Sequence, residues 1–417
     1  MAMIHSGFGV LALLGLAWLA SERRDLIAWR TVGSGIALAL GLIAAFTWLP
    51  GLSWLLEQSN RVLDALMAAS TAGTSFVFGY IGGGPLPFTP VSPGAGFVLA
   101  TQALPLVLLI SALSAVLFHW GILTRVVQAF AWLLNRTLGI GGAVGVSAAA
   151  NAFVGMIEGP LVIRPWLARM SRGELFIVMN CGMATIAGTV LVLYATLLKP
   201  IVPQALGHLL IASVVAIPVA IAVAALMVPS DQPADRSSLV MQREDASTIA
   251  ALTRGTLDGL QLLLNIVAML IVFIALVALV DQGLALVPPV AGTPVSIARI
   301  MGAVFAPLAW LVGIPWAEAG IAGQLLGKKA VLNEFIAFAD MASLPPEAMS
   351  ARSRLLMTYA LAGFANFGSV GIMLGGMTPL MPEDRRAEVG RLALRSLPAG
   401  LLSTCITAAL VGLLTAS

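Results

Sequence analysis

About eight stretches of roughly 20 apolar residues run along this chain, and they restrict its fold more than any other feature. They cover residues 7–20, 31–49, 96–120, 175–198, 202–228, 260–280, 355–380 and 392–414. An α-helix of that length crosses the hydrocarbon core of a bilayer, and inside lipid a helix bonds all its own backbone groups. Composition agrees. Charged residues make up 10% of the 417, against roughly 25% in soluble domains. So little charge cannot cover a water-facing surface, which excludes a soluble enzyme, a disordered chain and a small disulfide-stapled domain. The expected fold is an all-α polytopic membrane protein embedded in lipid. Net charge is only +3 and no basic block occurs, so nucleic acid is not an expected partner.

Two further apolar stretches are not simple spans. Residues 139–167 contain Asn151, Gly155, Glu158, Gly159 and Pro160, and residues 300–338 contain Pro307, Gly313, Pro315, Gly327, Asn333 and Glu334. Each is broken by Gly and Pro and carries a carboxylate at membrane depth. Broken backbone survives there only under a cover of protein or beside a water-filled cavity. Both stretches read as re-entrant helical hairpins. Between residues 51 and 70 the charges fall on one helical face, which reads as an interfacial amphipathic helix. After each hairpin comes a glycine-bearing span, GMATIAGTV or GFANFGSVG, and then one more span. One unit is used twice, and paired interrupted segments of this kind point to a transporter site at the bilayer midplane.

The basic residues act as topology signals. With the N-terminus outside and each hairpin returning to its own side, about 15 of the 22 basic residues lie on the inner side, in accord with the positive-inside rule. Both termini then face outward. The chain divides into two spans at 1–50, an interfacial helix and loop at 51–95, a first repeat at 96–228, a cytoplasmic linker at 229–258 and a second repeat at 259–417. MAMIHSGFGV lacks a basic n-region and no A-x-A-like site closes the run before Ser21, so residues 7–20 read as a retained span rather than a cleaved signal.

Glu158 and Glu334 are the prime candidates for chemistry. A carboxylate near the bilayer centre costs roughly 3 kcal/mol even on the mildest scale, so it is kept for a reason. The functional reading makes each a substrate or ion ligand. The structural alternative pairs Glu158 with Arg164, and Glu334 with Lys328 or Lys329. Asn151 and Asn366 are either ligands or interhelical glue. Asn366 and Ser369 are three apart and share a helix face, as do Thr185 and Thr189 at a spacing of four. Cys181 and Cys405 lie in apolar runs and read as small buried thiols, and His5, His119 and His208 are too scattered for a zinc motif. No G-x-x-x-x-G-K-S/T loop occurs, so ATP is not the expected energy source. Neither H-E-x-x-H nor G-x-S-x-G is present, so an intramembrane enzyme is disfavoured. A channel, or a sensor that has lost transport, remains a rival; accumulation against a gradient separates it from a transporter.

At these residues the chain resembles a known family. NAFVGMIEGPLVIRPWL, ELFIVMNCGMATIAGTVL, GKKAVLNEFIAF and TYALAGFANFGSVGIMLGGMTPLMPEDR closely resemble the bacterial concentrative nucleoside transporters, and SERRDLIAWR, STAGTSFVFGYIGG and FAPLAWLVGIPW are similar to them as well. The resemblance runs in order over nearly the whole chain. It implies about eight membrane helices and two re-entrant hairpins in an inverted repeat, an interfacial helix and a homotrimer. It also implies a transport domain carrying both hairpins that moves against a scaffold containing the third and sixth spans. The implied activity is secondary active import of nucleosides across an inner membrane by symport, with sodium as coupling ion and no other cofactor. The alternative is proton coupling, or a different ribose-bearing or less polar cargo. The family's sodium ligands correspond to Asn151, Val154, Thr185 and Ile186. Its ribose ligands correspond to Glu334, Asn366 and Ser369. Its base contacts correspond to Gly155, Met156, Ile157, Glu158, Val190 and Phe364. One departure is sharp: where the family typically has G-Q-S/T-E, this chain has Gly155-Met156-Ile157-Glu158, so the base half of the site is apolar where relatives are polar.

Overall fold

The described residues, 2–89, 96–230, 245–290 and 292–415, are almost entirely helical in the computed structural model of the chain, and the extended pairing among them is a single bridge between Val290 and Thr293. Three helices come first: α1 (Ala2–Leu19), α2 (Trp29–Trp48) and α3 (Pro50–Phe78). A short turn, α4 (Leu99–Gln102), leads into two sets of elements in the same order. The first set begins with α5 (Leu106–His119) and α6 (Ile122–Leu138). Its hairpin follows, built from α7 (Gly142–Asn151), α8 (Glu158–Val162) and α9 (Arg164–Leu167). Next come a broken helix, α10 (Arg172–Ala184) and α11 (Gly188–Leu198), and a long α12 (Ala205–Met227). The second set runs α13 (Thr248–Leu284), α14 (Ile297–Val312), a hairpin of α15 (Trp316–Val331) and α16 (Glu334–Ser343), a broken helix α17 (Ala351–Leu361) and α18 (Phe367–Met377), and a long α19 (Arg386–Leu414). Both long final helices carry an internal proline, Pro218 in α12 and Pro398 in α19.

Local chemistry sets the boundaries. α10 starts at a capping box in which Ser171 and Glu174 satisfy each other's backbone N–H groups, and α17 starts at Ser350, whose hydroxyl accepts from Ser353 N. α6 is amphipathic: Val127, Ala131, Leu134 and Leu138 form its buried stripe, while Arg125 and Arg136 lie off it. Gly313, at φ +108°, ends α14 in a conformation that favours glycine, and α15 leaves at a bend of 115°.

Eight helices among the described residues are long and apolar enough to cross a membrane, but they are not quite the expected eight. The helix read as interfacial over 51–70 continues to Phe78, and its later part, from Gln58 to Gly82, passes the length and apolarity test. The expected span 355–380 is not continuous, because the chain leaves the helix between Leu361 and Phe367. The span 175–198 is interrupted in the same way at Thr185–Ala187. That break also corrects the pairing of Thr185 with Thr189, since Thr185 lies in the break and Thr189 on α11. The second hairpin is narrower than 300–338: α14 is a separate helix, and the two arms are α15 and α16. Of the linker at 229–258, residues 231–244 lie outside the described residues, and α13 begins at Thr248.

α12 and α19 form the centre with α10, and α12 is almost wholly buried. Asn180 of α10 joins all three helices, donating to Ala220 O at 2.8 Å and Ser403 Oγ at 3.2 Å. Cys181 and Cys405 are buried free thiols in this centre. A surface ion network ties the α1–α2 loop to the starts of α10 and α19. Arg172 holds Glu22 at 2.8 Å and lies 3.6 Å from Glu388, which Arg385 grips at 2.8 Å. The guanidinium of Arg172 keeps the Glu22 carboxyl below the usual carboxylate range.

α13 contributes almost nothing to the buried centre and packs along α5 instead. The contact is backbone-close because Gly255 and Gly259 face α5. A Cβ on Gly255 would lie 2.7 Å from Ser111 O, and one on Gly259 would lie 2.9 Å from Leu108 Cα. This is small-xxx-small packing, in which missing side chains let two backbones approach. Gly259→Val is expected to destabilise the protein by about 1–3 kcal/mol through overpacking. Gly283→Val on the same helix, where nothing lies within 4 Å, is the near-neutral control. Thermal unfolding of the two purified variants in detergent checks this; equal melting temperatures would remove the close-packing argument.

Candidate functional site

Each hairpin tip and each helix break leaves backbone groups outside the regular helical ladder, and at membrane depth those groups must find partners. They find them in one another. Phe364 N, in the α17–α18 break, donates to Thr185 O, in the α10–α11 break, at 3.2 Å. Gly363 makes the approach possible: a Cβ there would lie 3.0 Å from both Ala184 O and Met183 O. The first hairpin joins the same point, because Gly188 N donates to Phe153 O at 3.1 Å. Residues from both repeats therefore converge on one polar junction.

On the first-repeat side the junction is rich in oxygen. Asn151 closes α7 with its side chain fully buried, and neither its Oδ1 nor its Nδ2 has a hydrogen-bond partner. Gly159 leaves the room for it, since a Cβ there would sit 2.1 Å from Asn151 Oδ1. Thr185 Oγ1 donates to Cys181 O at 2.8 Å and lies 3.4 Å from Asn151 O. Ile186 is fully buried beside it, and Ser213 Oγ reaches Ile186 O at 3.5 Å. Val154 is half-buried in the hairpin turn. Among the described residues no group of three His, Cys, Asp or Glu side chains is placed to hold a metal. Neutral oxygens, including an amide with unmet valence, are the donors that a hard monovalent cation accepts.

On the second-repeat side the focus is Glu334, the first residue of α16 and only 5% exposed. Asn333 precedes it as N-cap, accepting from Ile336 N at 2.9 Å. Tyr194 OH donates to Glu334 Oε1 at 2.7 Å, and Asn366 Nδ2 donates to Glu334 Oε2 at 3.0 Å. Asn366 is itself the N-cap of α18, its Oδ1 accepting from Ser369 N at 2.7 Å. Glu334, Asn366 and Ser369 are thus joined in one hydrogen-bonded chain. Both proposed lysine partners of Glu334 go elsewhere: Lys328 pairs with Asp340, while Lys329 donates to Ala360 O at 2.7 Å and Thr404 Oγ1 at 2.8 Å.

Glu158 opens α8 and is exposed, with its carboxylate folded back over the hairpin turn. Gly155 accommodates it. Its φ is +132°, and a Cβ there would lie 2.9 Å from Glu158 Oε2, so the backbone conformation and the space both call for glycine. Among the described residues Glu158 and Arg164 form no ion pair. Met156 is buried beneath the turn, its Cβ close to where a Cβ on Gly182 would lie, and Ile157 packs against Gly376 of α18. Val190 is buried on α11, one turn before Tyr194. Phe364 is half-buried at the break.

Two family models bracket the chain: "Na+ dependent nucleoside transporter N-terminus" matches residues 8–81 and the corresponding C-terminus matches 208–412. Between them, a "Nucleoside recognition" gate model matches 100–201. The nucleoside permease NupC of Helicobacter pylori is 32% identical over 98% of this chain and 97% of its own. The putative nucleoside permease NupX of Escherichia coli is 31% identical over 99% of both chains. The chain belongs to the concentrative nucleoside transporter family. A solved structure described as CNTnw in an inward-facing substrate-bound state matches with a TM-score of 0.89 and 34% identity, over 99% of this chain and 98% of that one. The all-helical inverted-repeat fold is therefore that of concentrative nucleoside transporters, and the protein is a membrane transporter rather than an enzyme.

Two residues of this junction escape sequence reading in a concentrative nucleoside transporter of this sequence. Tyr194 looks like one more apolar position in VLVLYATLL, and its role depends on a partner 140 residues away. Lys329 looks like half of a lysine pair. The sole available signal is that each is a polar group within an otherwise apolar or small-residue helix face. Tyr194→Phe keeps the ring contacts with Phe335 and Phe338 and removes the donor to Glu334. A hydrogen bond to a charged group contributes about 1.5–3 kcal/mol, so a roughly tenfold or larger loss in nucleoside uptake efficiency is expected. Concentration-dependent uptake by wild type and variant reads this; unchanged kinetics would show that Glu334 does not need Tyr194.

Proposed function

We propose that the protein is a sodium–nucleoside symporter of the cell inner membrane, importing its substrate against a gradient. The observation that carries the coupling reading is the buried Asn151 amide with both polar atoms unpartnered, set against Thr185 at the helix break. Sodium needs several oxygens at once. Asn151 Oδ1, the Val154 carbonyl, Thr185 Oγ1 and the Ile186 carbonyl are its proposed ligands. A proton would need a single titratable acceptor, and none of these four groups titrates in the physiological range.

In this reading the ribose is held by Glu334, Asn366 and Ser369. Tyr194 and Asn366 each occupy one oxygen of Glu334. Each carboxylate oxygen keeps acceptor capacity for a vicinal ribose hydroxyl, and charged acceptors make the stronger hydrogen bonds. The base is proposed to lie against Gly155, Met156, Ile157, Glu158, Val190 and Phe364. Transport then moves the two hairpins and broken helices against a scaffold that includes α5 and α13. Support for that division comes from α13, which packs along α5 and leaves apolar side chains such as Ile271, Ile274 and Leu279 uncovered by its own chain. Lipid and two further copies in a homotrimer are the proposed cover, with both termini on the outer face.

Uptake into proteoliposomes under separately imposed sodium and proton gradients tests the reading. Sodium-driven accumulation is expected, with Glu334→Gln lowering uptake efficiency at least about tenfold through its weaker acceptors, and with free uracil or adenine competing poorly. Uptake that ignores sodium and collapses with a proton ionophore would overturn the coupling, and competition by free bases would overturn the ribose assignment.

Met156 and Ile157 give this chain its own base preference. Neither can bond a polar base edge, and leaving such an edge desolvated costs about 1–3 kcal/mol per unmet group. Uridine is therefore expected to be recognised less well than by relatives with a polar pair here, and larger or more apolar bases to be tolerated better. The double change Met156→Gln with Ile157→Thr is expected to shift the purine-to-uridine uptake ratio toward uridine. If that ratio does not move, these positions do not set base choice.

A further inference from the structure

The first arm of the first hairpin, α7, has two polar side chains, Ser147 and Asn151. Four residues separate them, so they share one helix face. Both are fully buried, and neither the Ser147 hydroxyl nor the Asn151 amide has a hydrogen-bond partner among the described residues. For Ser147 this is unusual. A buried helical hydroxyl ordinarily bonds back to the carbonyl four residues earlier. Thr358, Ser403 and Thr407 do so here, reaching Arg354 O, Ala399 O and Ser403 O at 2.8, 2.7 and 2.9 Å. Ser147 does not bond Ala143 O, and a buried hydroxyl left in this way calls for a partner from outside the chain.

The face that carries these two groups is turned to the hairpin's second arm. A Cβ on Gly159 would lie 2.1 Å from Asn151 Oδ1 and 3.2 Å from Ser147 O. One turn before Ser147, Val144 lines a cavity of about 20 Å³ together with Trp166, Arg169, Met170 and Glu174. That volume has room for roughly one water. Arg169 and Glu174 set one charge of each sign at this mouth, so it does not turn a cation away by net charge. Amide, hydroxyl and cavity follow one another along the hairpin, from its tip to its base. In the proposed orientation the base faces the cell interior. We propose that Ser147 is a transit ligand for the coupling cation, which leaves Asn151, passes Ser147 between the two arms and exits through the cavity at the hairpin's base, apart from the nucleoside. A hard monovalent cation takes hydroxyl and carbonyl oxygens, and a stop with fewer of them than the site at Asn151, Val154, Thr185 and Ile186 holds it weakly enough to pass it on. The inference rests on the sodium reading of that site and adds the cation's way out.

Silver ion probes the route, because it is a monovalent cation close to sodium in size and binds thiols. The test uses Ser147→Cys in the full-length protein in proteoliposomes, with Cys181→Ala and Cys405→Ala removing the native thiols. Ala149→Cys, equally buried on another face of α7, is the control. Thiols left unreacted are counted after denaturation, so the readout needs no transport by the variant. Silver supplied from the inner side is expected to block Ser147→Cys at least about tenfold faster than Ala149→Cys. Sodium is expected to slow that reaction more than potassium does. Reaction from the outer side alone or from neither side, or equal slowing by the two salts, overturns the route. Ser147→Ala tests the hydroxyl itself. Net sodium-driven uptake needs cation release inside, whereas nucleoside exchange at equal sodium on both sides does not. Net uptake by Ser147→Ala is expected to fall about fivefold further than exchange. Equal loss in both, or in neither, overturns Ser147 as a ligand and leaves it a packing residue. Failure of the sodium reading is separable, because wild-type uptake would then ignore sodium altogether.

Discussion

One backbone hydrogen bond, Phe364 N to Thr185 O at 3.2 Å, joins the two broken helices at the centre of the protein. Inside a membrane an unmet amide or carbonyl costs several kcal/mol, so a helix can be interrupted only where protein or water meets the groups that the break frees. The α10–α11 break supplies the acceptor, the α17–α18 break supplies the donor, and Gly363 removes the side chain that would hold them apart. Much of the remaining architecture serves this meeting. Two hairpins cover the breaks from either repeat, and α12 and α19 wall off the back. Asn180 ties α10 to both of those helices through Ala220 O and Ser403 Oγ.

The same constraint creates the polar site. Backbone groups freed at the breaks have side-chain oxygens next to them: Thr185 on one side, Asn366 and Ser369 on the other. Glu334 enters this cluster from a hairpin tip, where it is the first residue of a helix and gains from the positive end of the helix dipole. Tyr194 and Asn366 then donate one hydrogen bond to each of its oxygens. Tyr194 belongs to the first repeat and Glu334 to the second, so a ligand at Glu334 acts on the contact between repeats. That arrangement suits the proposed movement of one body against another around a bound solute. Nucleoside transporter membership gives the solute its class.

Much of the fold was legible beforehand, for a simple reason. Lipid leaves a helix as the default for a long apolar run, and Gly, Pro and a carboxylate in such a run mark where the default fails. Glu158, Glu334, Asn151 and Asn366 stood out because polar groups are expensive at that depth. Reading faltered where a helix is broken without an obvious breaker. Residues 355–380 look continuous, yet the chain turns out of the helix from Ala362 to Asn366, where Phe364 N has its partner across the protein in Thr185 O. Thr185 and Thr189 were separated by the same effect. The charges at 51–70 mark an amphipathic stretch, while the apolar continuation to Gly82 that makes the helix long enough to span carries no charge to mark it.

What the sequence determined by itself was the medium, the helical class, the twofold use of one unit and the identity of the costly polar residues. These depend on local composition and on spacing along the chain, which a reader of residues can count. Tertiary structure alone decided who meets whom. Glu334 could have paired with either neighbouring lysine by sequence distance, but Lys328 turns to Asp340 and Lys329 to the α17 and α19 oxygens, while Tyr194, 140 residues away, takes the carboxylate. Partner choice for a buried charge depends on which donors the folded helices bring within about 3 Å in the right direction, and no one-dimensional pattern encodes that geometry.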